Sequence, residues 1–281
     1  MHDRVTDVGE GRRPQAGWTA VALALAAAAL LFTALRGCAE PFSNGAPVVP
    51  PVPVSAQELA KLTQATTYTT TPAAAPDQDP FAVTDGAVLH PLTPQVLYVA
   101  PGGKPVAVLP TTELGGPTWV PVVQSDPGWV RVLLPSRPNR ATGWIFTGDT
   151  GTSGVAIARS AYLVRIEVGA RKLGVDKNGS SLGTWTVAVG APHTPTPTGR
   201  TFLLALLAPP HPTYSPLILP LGAHSNVFTT FGGGPGTVGL HGWPDPSVFG
   251  QAVSIGCVRV PADALRLLSH LPLGTLVMIT Q

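Results

Sequence analysis

The chain has 281 residues, enough for two modest domains and the segments that connect them. Only 11% of the residues are charged and 44% are hydrophobic, whereas glycine (31) and proline (32) both exceed ordinary usage, so short strands and many turns are expected and long helices are not. The formal net charge of +2, with its Lys and Arg scattered, argues against a surface that neutralises many phosphates, and no nucleic-acid partner is expected.

An apolar run near the N-terminus predicts a membrane segment. Trp18 to Leu35 is 18 residues without a charge, at the short end of what spans a bilayer as a helix. Three arginines precede the run, so the positive-inside tendency places the N-terminus in the cytoplasm. We expect residues 1–17 to be a cytoplasmic tail and residues 18–38 to be a transmembrane or signal helix. The rest of the chain is then extracellular or periplasmic, attached to the cell membrane.

Cys38 ends this run and leaves three alternatives open. The sequence Leu35-Arg36-Gly37-Cys38 resembles a lipobox with Cys38 as the lipidated residue, although Arg36 stands where a small or uncharged residue is normal. An uncleaved anchor is favoured, and a removed signal peptide is the third alternative. A disulfide with Cys257, the only other cysteine, is not favoured because the two lie in segments of different character. An unpaired thiol is a liability in an oxidising compartment, so Cys257 requires a functional reason.

Residues 39–84 are predicted to be a proline-rich linker. The stretch 46–54 reads Ala-Pro-Val-Val-Pro-Pro-Val-Pro-Val, and such prolines favour extended polyproline II, a semi-rigid spacer that holds a domain away from a membrane. One short helix is predicted within this segment, around residues 55–64.

Residues 85–150 are predicted to be a small β domain. Turn-forming pairs separate short strand patterns, which we place at residues 95–100, 105–109, 118–124, 128–134 and 143–146. The stretch Gly128-Trp-Val-Arg-Val, followed by Thr142-Gly-Trp-Ile, resembles the closing strands of bacterial SH3-like modules, which implies a small β-barrel. Such modules accompany cell-wall enzymes, so a spacer or a wall-peptide contact is expected. Trp129 and Trp144 are interpreted as packing residues rather than as a sugar-binding shelf.

Residues 160–281 are predicted to be a mostly β domain with one short helix. The strand patterns lie at residues 162–168, 173–175, 185–189, 201–207 and 275–279. Ala262 to Leu271 is the helical exception, with Asp263 in the first turn and leucines at helix-compatible spacing.

His241 and Cys257 are the candidate catalytic pair of this domain. A thiol becomes a useful nucleophile when a neighbouring imidazole takes its proton and then stabilises the thiolate. Cys257 follows His241 by 16 positions, through a segment rich in Gly and Pro that suits a strand, a loop and a return. Gly256 permits a tight turn, and amide groups near Gly256 and Cys257 can hold an oxyanion at the attacked carbonyl.

The alternative reading makes both residues structural. A lone cysteine in an apolar strand is most often an inert core residue, and a lone histidine is most often a satisfied structural one. The ordered set around the pair favours catalysis instead: His241, Gly242, Ser254, Gly256, Cys257 and Arg259. The other histidines are expected at the surface or in turns: His90, His193, His211, His224 and His270. His, Cys, Asp and Glu nowhere show metal-ligand spacing, so neither a metal nor another cofactor is expected.

These residues match the pattern of a known family. His241-Gly242, twelve further residues and then Ser254-Ile-Gly-Cys-Val-Arg resemble the signature of the L,D-transpeptidase (YkuD-type) catalytic domain. The flanks agree, because residues 162–168 resemble the opening strand and residues 187–202 resemble the family's "G…TP.G.F" segment. Ile255 stands where the family often has His, which leaves His241 as the motif's only histidine. The resemblance covers roughly residues 160–281 and implies a β-sandwich-type catalytic fold.

The resemblance also implies a reaction. Cys257 would attack the carbonyl of the diacid third residue of a peptidoglycan tetrapeptide stem, expel the terminal D-alanine and form a thioester. His241 would be the base, oriented by a backbone carbonyl near Gly242. An amine from a neighbouring stem would then resolve the thioester as a 3→3 cross-link. The remaining motif residues would shape the oxyanion loop, with Arg259 facing a substrate carboxylate: Ser254, Ile255, Gly256 and Arg259.

Two rivals to this function remain. An L,D-carboxypeptidase would use the same acyl-enzyme and resolve it with water, and the motif does not separate the two. A non-catalytic wall-binding protein could retain the fold. Under the enzyme hypotheses the partners are peptidoglycan stem peptides and, as covalent inhibitors, carbapenem-type β-lactams, with the membrane contacted through the N-terminal segment.

Overall fold

The computed structural model of the protein describes residues 47–148, 154–231 and 233–281. The predicted tail, the predicted membrane or signal helix and Cys38 lie outside these residues. Among the helices that the structure describes, none is long and apolar enough to cross a membrane. The described residues belong to one packed unit, Pro47–Gln281.

The N-terminal half of this unit contains a short helix and ten strands. They are α1 (Ala56–Leu59), β1 (Ala75–Pro76), β2 (Ala87–Pro91), β3 (Gln95–Tyr98), β4 (Pro105–Leu109), β5 (Thr112–Glu113), β6 (Gly116–Pro117), β7 (Val120–Asp126), β8 (Trp129–Leu133), β9 (Ala141–Phe146) and β10 (Val155–Arg159). An antiparallel sheet has the order β10-β2-β7-β8-β9-β3-β4, with β1 paired to β9, while β5 and β6 form a separate hairpin. Strands occur at all five predicted positions, and the assignment to the SH3-like family stays a prediction.

An aromatic cluster packs on this sheet. Trp129 and Trp144 are buried with Tyr98, and the Trp129 ring meets the Tyr98 ring edge-on, with centroids 5.3 Å apart. Burial of the two tryptophans agrees with their interpretation as packing residues. Buried indole N–H and phenol O–H groups need acceptors, and two of them find these acceptors outside the sheet.

The acceptors belong to the segment that was predicted to be a spacer. Trp129 Nε1 donates to the Val49 carbonyl over 2.7 Å, and Tyr98 Oη donates to the Val52 carbonyl over 3.0 Å. Residues 49 and 52 are three positions apart, the repeat of a polyproline II helix, so both carbonyls can face the cluster. Val54 packs on the cluster as well. The linker prediction for residues 39–84 is therefore corrected from residue 47 onwards, because the aromatic cluster offers buried donors that this segment satisfies.

The C-terminal half contains ten further strands, a single-turn 3₁₀ helix and one α-helix. They are β11 (Tyr162–Glu167), β12 (Lys172–Lys177), β13 (Ser180–Thr186), β14 (Val189–Gly190), β15 (Gly199–Phe202), β16 (Ile218–His224), β17 (Thr237–His241), the 3₁₀ turn (Pro246–Val248), β18 (Ala252–Ser254), β19 (Val258–Arg259), α2 (Ala262–Leu268) and β20 (Leu276–Thr280). Three sheets have the orders β13-β12-β11-β20-β15, β16-β17-β19 and β14-β18. The chain is mostly β, as predicted.

One hydrophobic core joins these sheets and the helix. Val164 and Val277 of the five-stranded sheet pack in the same buried cluster as Leu240 and Val258 of the three-stranded sheet. Helix α2 buries one face in this cluster through Ala264, Leu265 and Leu268. Its first turn carries Asp263 and its last turn carries Arg266, both on the favourable side of the helix dipole. The helix ends three residues before its predicted end, although Leu271 still packs in the core.

A buried ion pair joins residues 76–82 to the five-stranded sheet of the C-terminal half. Arg200 on β15 donates to both carboxylate oxygens of Asp77 over 2.7 Å, with only 4% and 2% of the two side chains exposed. Arg200 also donates to the Ala82 carbonyl, and Arg131 on β8 donates to the Pro76 carbonyl. Residues 76–82 therefore lie between the two halves and bond to both.

Candidate active site

Strands β17 and β19 bring the candidate pair together. They run parallel, with Leu240 opposite Val258 and His241 opposite Arg259. Because side chains alternate along a strand, Leu240 and Val258 enter the core while His241 and Arg259 share the other face. Cys257 lies two residues before Arg259, and its side chain lines the same cavity as His241, of about 180 Å³.

Hydroxyl groups fix the loop that carries the thiol. Ser254 Oγ accepts from the Gly256 N–H over 3.1 Å and donates to the Cys257 carbonyl. From the facing loop, Thr194 Oγ1 donates to the Ser254 carbonyl over 2.8 Å and Thr196 Oγ1 donates to the Gly256 carbonyl over 3.0 Å. Gly256 has φ +122°, a conformation that favours glycine. Cys257 therefore stands on a loop whose backbone is held on both sides.

This geometry corrects the predicted oxyanion donor. The Gly256 N–H is directed to Ser254 Oγ, so it is engaged inside the loop. The Cys257 N–H takes no part in these loop hydrogen bonds. Of the two amides that the sequence analysis named, the one on Cys257 is therefore the candidate oxyanion donor.

A backbone carbonyl fixes the tautomer of His241. Nδ1 lies 2.7 Å from the Gly242 carbonyl oxygen, which can only accept, so Nδ1 carries the proton and Nε2 has a free lone pair. The Gly242 peptide is itself held, because its N–H donates to Ser215 Oγ over 2.7 Å. Burial lowers the pKa of His241, the Gly242 hydrogen bond opposes this, and the Arg259 charge lowers it further. At neutral pH the ring is thus an unprotonated base.

Cys257 is a buried free thiol. Burial raises its pKa, while a backbone hydrogen bond from Gly239 and the positive charge of Arg259 lower it. The resting pair is accordingly a neutral thiol and a neutral imidazole. Transfer of the thiol proton to His241 would give a thiolate, which the positive charge of Arg259 and the Gly239 backbone would stabilise.

Aromatic rings hold His241 and Arg259 in place. The Tyr214 ring packs edge-on against the His241 ring with centroids 4.9 Å apart. The Arg259 guanidinium lies 3.6 Å from the centroid of the Trp243 ring, a cation–π contact. Arg259 Nε is buried without a hydrogen-bond partner among the described residues. Arg259 thus brings a positive charge near the thiol.

Two cavities meet at this site. The smaller one is lined by Cys257 and His241, and its further lining residues are Ile218, Pro220, Phe231, Gly234, Pro235, Tyr68 and Leu114. The larger one, about 630 Å³, lies against Gly242, Trp243 and helix α2. Tyr214 lines both cavities and so forms the partition between them.

The structure places the remaining predicted site residues as follows. Ser254 is buried in the loop core, whereas the Ile255 side chain is 44% exposed and makes no part of the cavity lining described above. His224, expected at the surface or in a turn, is instead fully buried on β16. Its Nε2 bonds to the Thr67 carbonyl and its backbone N–H donates to Asn139 Oδ1, whereas its Nδ1 has no hydrogen-bond partner among the described residues. Among the described residues, no three His, Cys, Asp or Glu side chains form a group that could hold a metal ion.

Sequence reasoning missed several residues of the site. Thr194 and Thr196 stand beside or within the "TP.G" stretch that carried the family resemblance, so hydroxyls facing the catalytic loop could have been sought there. Tyr214, Ser215 and Trp243 lie outside or next to the motif, and only their contacts with His241, Gly242 and Arg259 reveal them. No local pattern marks Tyr214.

Comparisons with known proteins agree with the predicted family. Residues 161–279 match the family model of the L,D-transpeptidase (YkuD) catalytic domain. A curated relative, the putative L,D-transpeptidase YkuD of Bacillus subtilis, strain 168, is 30% identical over 121 residues, which cover 43% of this chain and 66% of the relative. The resemblance to the L,D-transpeptidase catalytic domain is thereby confirmed for this part of the chain, and the match leaves about a third of the Bacillus relative uncovered.

Solved structures give weaker similarities. An L,D-transpeptidase from Mycobacterium smegmatis is 16% identical, with 58% of this chain and 99% of that chain covered and a TM-score of 0.35. L,D-transpeptidase 3 from Mycobacterium tuberculosis, in complex with a faropenem-derived adduct, is 14% identical, with 51% and 74% covered and a TM-score of 0.37.

Proposed function

We propose that this chain, whose residues 161–279 match the L,D-transpeptidase catalytic domain, forms 3→3 cross-links between peptidoglycan stem peptides through a thioester on Cys257. One observation carries the proposal: a free thiol and an imidazole with an unprotonated Nε2 line a single cavity. Nucleophilic acyl transfer needs a thiol and a base that can reach each other, and the shared cavity supports this.

The acylation step uses these groups in turn. Cys257 Sγ attacks the carbonyl of the third stem residue, and the thiol proton moves to His241 Nε2. The oxyanion accepts a hydrogen bond from the Cys257 N–H. When the tetrahedral intermediate collapses, the C–N bond breaks and the departing D-alanine amine takes the proton from His241. The product is a thioester on Cys257 and free D-alanine.

Arg259 suits recognition of the diacid residue that is attacked. Its guanidinium is held on the Trp243 ring and places a positive charge near Cys257. A carboxylate of the stem can pair with it, with the planar group already oriented. Binding of that carboxylate beside Cys257 would present the neighbouring carbonyl to the thiol.

The second cavity favours an amine acceptor over water. It lies beyond Tyr214, runs along Gly242 and helix α2, and has room for a second peptide at about 630 Å³. An amine delivered there would attack the thioester after His241 Nε2 takes its proton. Water, the acceptor in an L,D-carboxypeptidase, needs no such space.

The location of the reaction is part of the same proposal. The uncharged run from Trp18 to Leu35, with arginines before it, supports attachment to the cell membrane and a catalytic domain on its outer side, facing the cell wall. Peptidoglycan stems are the substrate in that compartment.

Product analysis tests the proposal. Purified chain is incubated with disaccharide-tetrapeptide fragments, and the products are separated and weighed by mass spectrometry. We expect dimers with a 3→3 bond and free D-alanine from the native chain and neither from Cys257→Ala. Tripeptide monomers without dimers would assign the carboxypeptidase activity instead.

A covalent inhibitor supplies the second test. Because a thiol that attacks stem carbonyls should also open a strained lactam, incubation with a carbapenem should add the mass of one inhibitor to the native chain and none to Cys257→Ala. A native chain that forms neither an acyl-enzyme nor an adduct would be a non-catalytic wall-binding protein.

A further inference from the structure

Two residues of the N-terminal half line the cavity that contains the nucleophile. Tyr68 and Leu114 share this lining with Cys257 and His241. Both precede residues 161–279, the part of the chain that matches the catalytic domain. Tyr68 keeps 65% of its surface exposed, so its ring remains available for contact with a ligand.

A buried polar network fixes Tyr68 against the catalytic strands. The preceding residue, Thr67, accepts at its carbonyl from His224 Nε2 over 2.8 Å, and its hydroxyl lies 3.0 Å from the same nitrogen and 2.5 Å from Thr237 Oγ1. Thr67 and His224 are both buried. Thr237 begins β17, the strand that ends at His241. The position of Tyr68 is therefore set by the same strand that positions the base.

The same network reaches Leu114. Glu113 is buried, and its Oε1 accepts from the Thr67 N–H at 3.4 Å, a long hydrogen bond. Leu114 has φ +49°, a conformation that a leucine rarely adopts unless its surroundings impose it. Its half-buried side chain lines the cavity. Hence the hairpin turn after β5 presents an apolar group to the site in a conformation that has an energetic cost.

A third contact braces another part of the cavity lining. Arg137 Nη1 donates to the Ser225 carbonyl over 3.0 Å, and Nη2 donates to the Phe228 and Pro235 carbonyls, each over 3.1 Å. Pro235 itself lines the cavity. A Cβ at Gly236 would lie 2.8 Å from Arg137 Nη2, so this contact depends on a glycine. The N-terminal half thus supplies one wall directly and braces another.

We propose that the N-terminal half is part of the active site, with Tyr68 and Leu114 as a substrate-contacting wall that selects for an extended peptide. The inference rests on the proposed function. The cavity, at about 180 Å³, is smaller than the roughly 300–1,000 Å³ of pockets that enclose a whole ligand. Only the reacting end of a stem peptide fits inside, so the rest of the stem lies across the rim, where Tyr68 is exposed.

A kinetic comparison in the full chain tests this wall. Tyr68→Ala should raise the KM for tetrapeptide stems about tenfold and leave kcat within about twofold, because it removes a binding contact and no reacting group. Tyr68→Phe should behave like the native chain if the ring face is what binds. Phe81→Ala is the matched control, since Phe81 is an aromatic residue of the same segment, 55% exposed and absent from the cavity lining. Equal KM values for Tyr68→Ala and Phe81→Ala would overturn the wall.

A second measurement separates this inference from the proposed function. The alkylation rate of Cys257, read by peptide mass, is compared for small iodoacetamide and a bulky fluorescent maleimide. Tyr68→Ala should speed the bulky reagent several-fold and leave iodoacetamide unchanged, whether or not the chain cross-links stems. If Tyr68→Ala speeds the bulky reagent but the native chain forms no acyl-enzyme, the proposed transpeptidase function is rejected and the wall is supported. If Tyr68→Ala leaves the maleimide rate unchanged, the role of Tyr68 in the wall is rejected, even if the chain is an active enzyme.

Discussion

Two stretches of this chain contrast in how far their own residues determine their role. Residues 238–260 contain the motif of the candidate site, with its thiol, imidazole, hydroxyl and guanidinium, although most of the cavity lining comes from other parts of the chain. Residues 47–84 read as a spacer, yet they bond to both halves of the molecule. Their partners are distant in sequence, with Trp129 80 positions from Val49 and Arg200 123 positions from Asp77.

The difference shows which signals are local. A nucleophile, its base and its loop must have particular side chains at particular spacings, so they leave a pattern in the sequence. A docked segment needs only carbonyls and one carboxylate placed opposite donors, and any extended chain has carbonyls. Proline density predicts the extended form of residues 47–54 but says nothing about what that form meets.

The largest effect should come from a substitution within residues 238–260. His241→Gln removes the base while the fold keeps its core, so acylation by tetrapeptide stems should slow by roughly 10²–10⁴-fold. The rate of D-alanine release measures this, with thermal unfolding as the control for folding. A loss below about tenfold would mean that another group takes the thiol proton.

The next prediction tests whether residues 47–84 are part of the packed structure. Asp77→Ala leaves the Arg200 charge buried without its partner and should lower the free energy of unfolding by about 3–5 kcal/mol, measured by urea titration. Asp85→Ala is the matched control, because the Asp85–Arg159 pair is 60% and 67% exposed and should contribute about 0–1 kcal/mol. Similar losses for both variants would restore the spacer interpretation.

A smaller effect is expected where the segment meets the aromatic cluster. Tyr98→Phe removes only the hydroxyl that donates to the Val52 carbonyl and should cost about 1 kcal/mol. Release of the segment should also speed proteolytic cleavage within residues 47–54. Unchanged cleavage would show that the Trp129 hydrogen bond and side-chain packing hold the segment without Tyr98.

The last prediction concerns how stability changes with pH. Burial raises the pKa of Glu113 from 4.5 to about 7, so the unfolded chain ionises first and the stability that Glu113 contributes falls as pH rises from 4.5 to 7. Burial lowers the pKa of His224 from 6.5 to about 4, which gives the opposite slope between pH 4 and 6.5. Glu113→Gln should therefore gain stability relative to the native chain more at pH 7.5 than at pH 5. Equal gains at both pH values would contradict the raised pKa of Glu113.

The sequence alone determined the mostly β class, the approximate positions of the strands that it predicted and the short helix α2, because alternation and turn residues act over a few positions. It did not predict β16 or β17, which border the site. It also determined the pairing of Cys257 with His241, since their chemistry demands a fixed local order. Tertiary structure alone decided that His224 is buried, that the Gly256 amide bonds inside the loop, and that Tyr68 reaches the nucleophile's cavity. Each of these depends on which distant groups arrive opposite one another, and packing of the two halves, rather than any local pattern, brings them there.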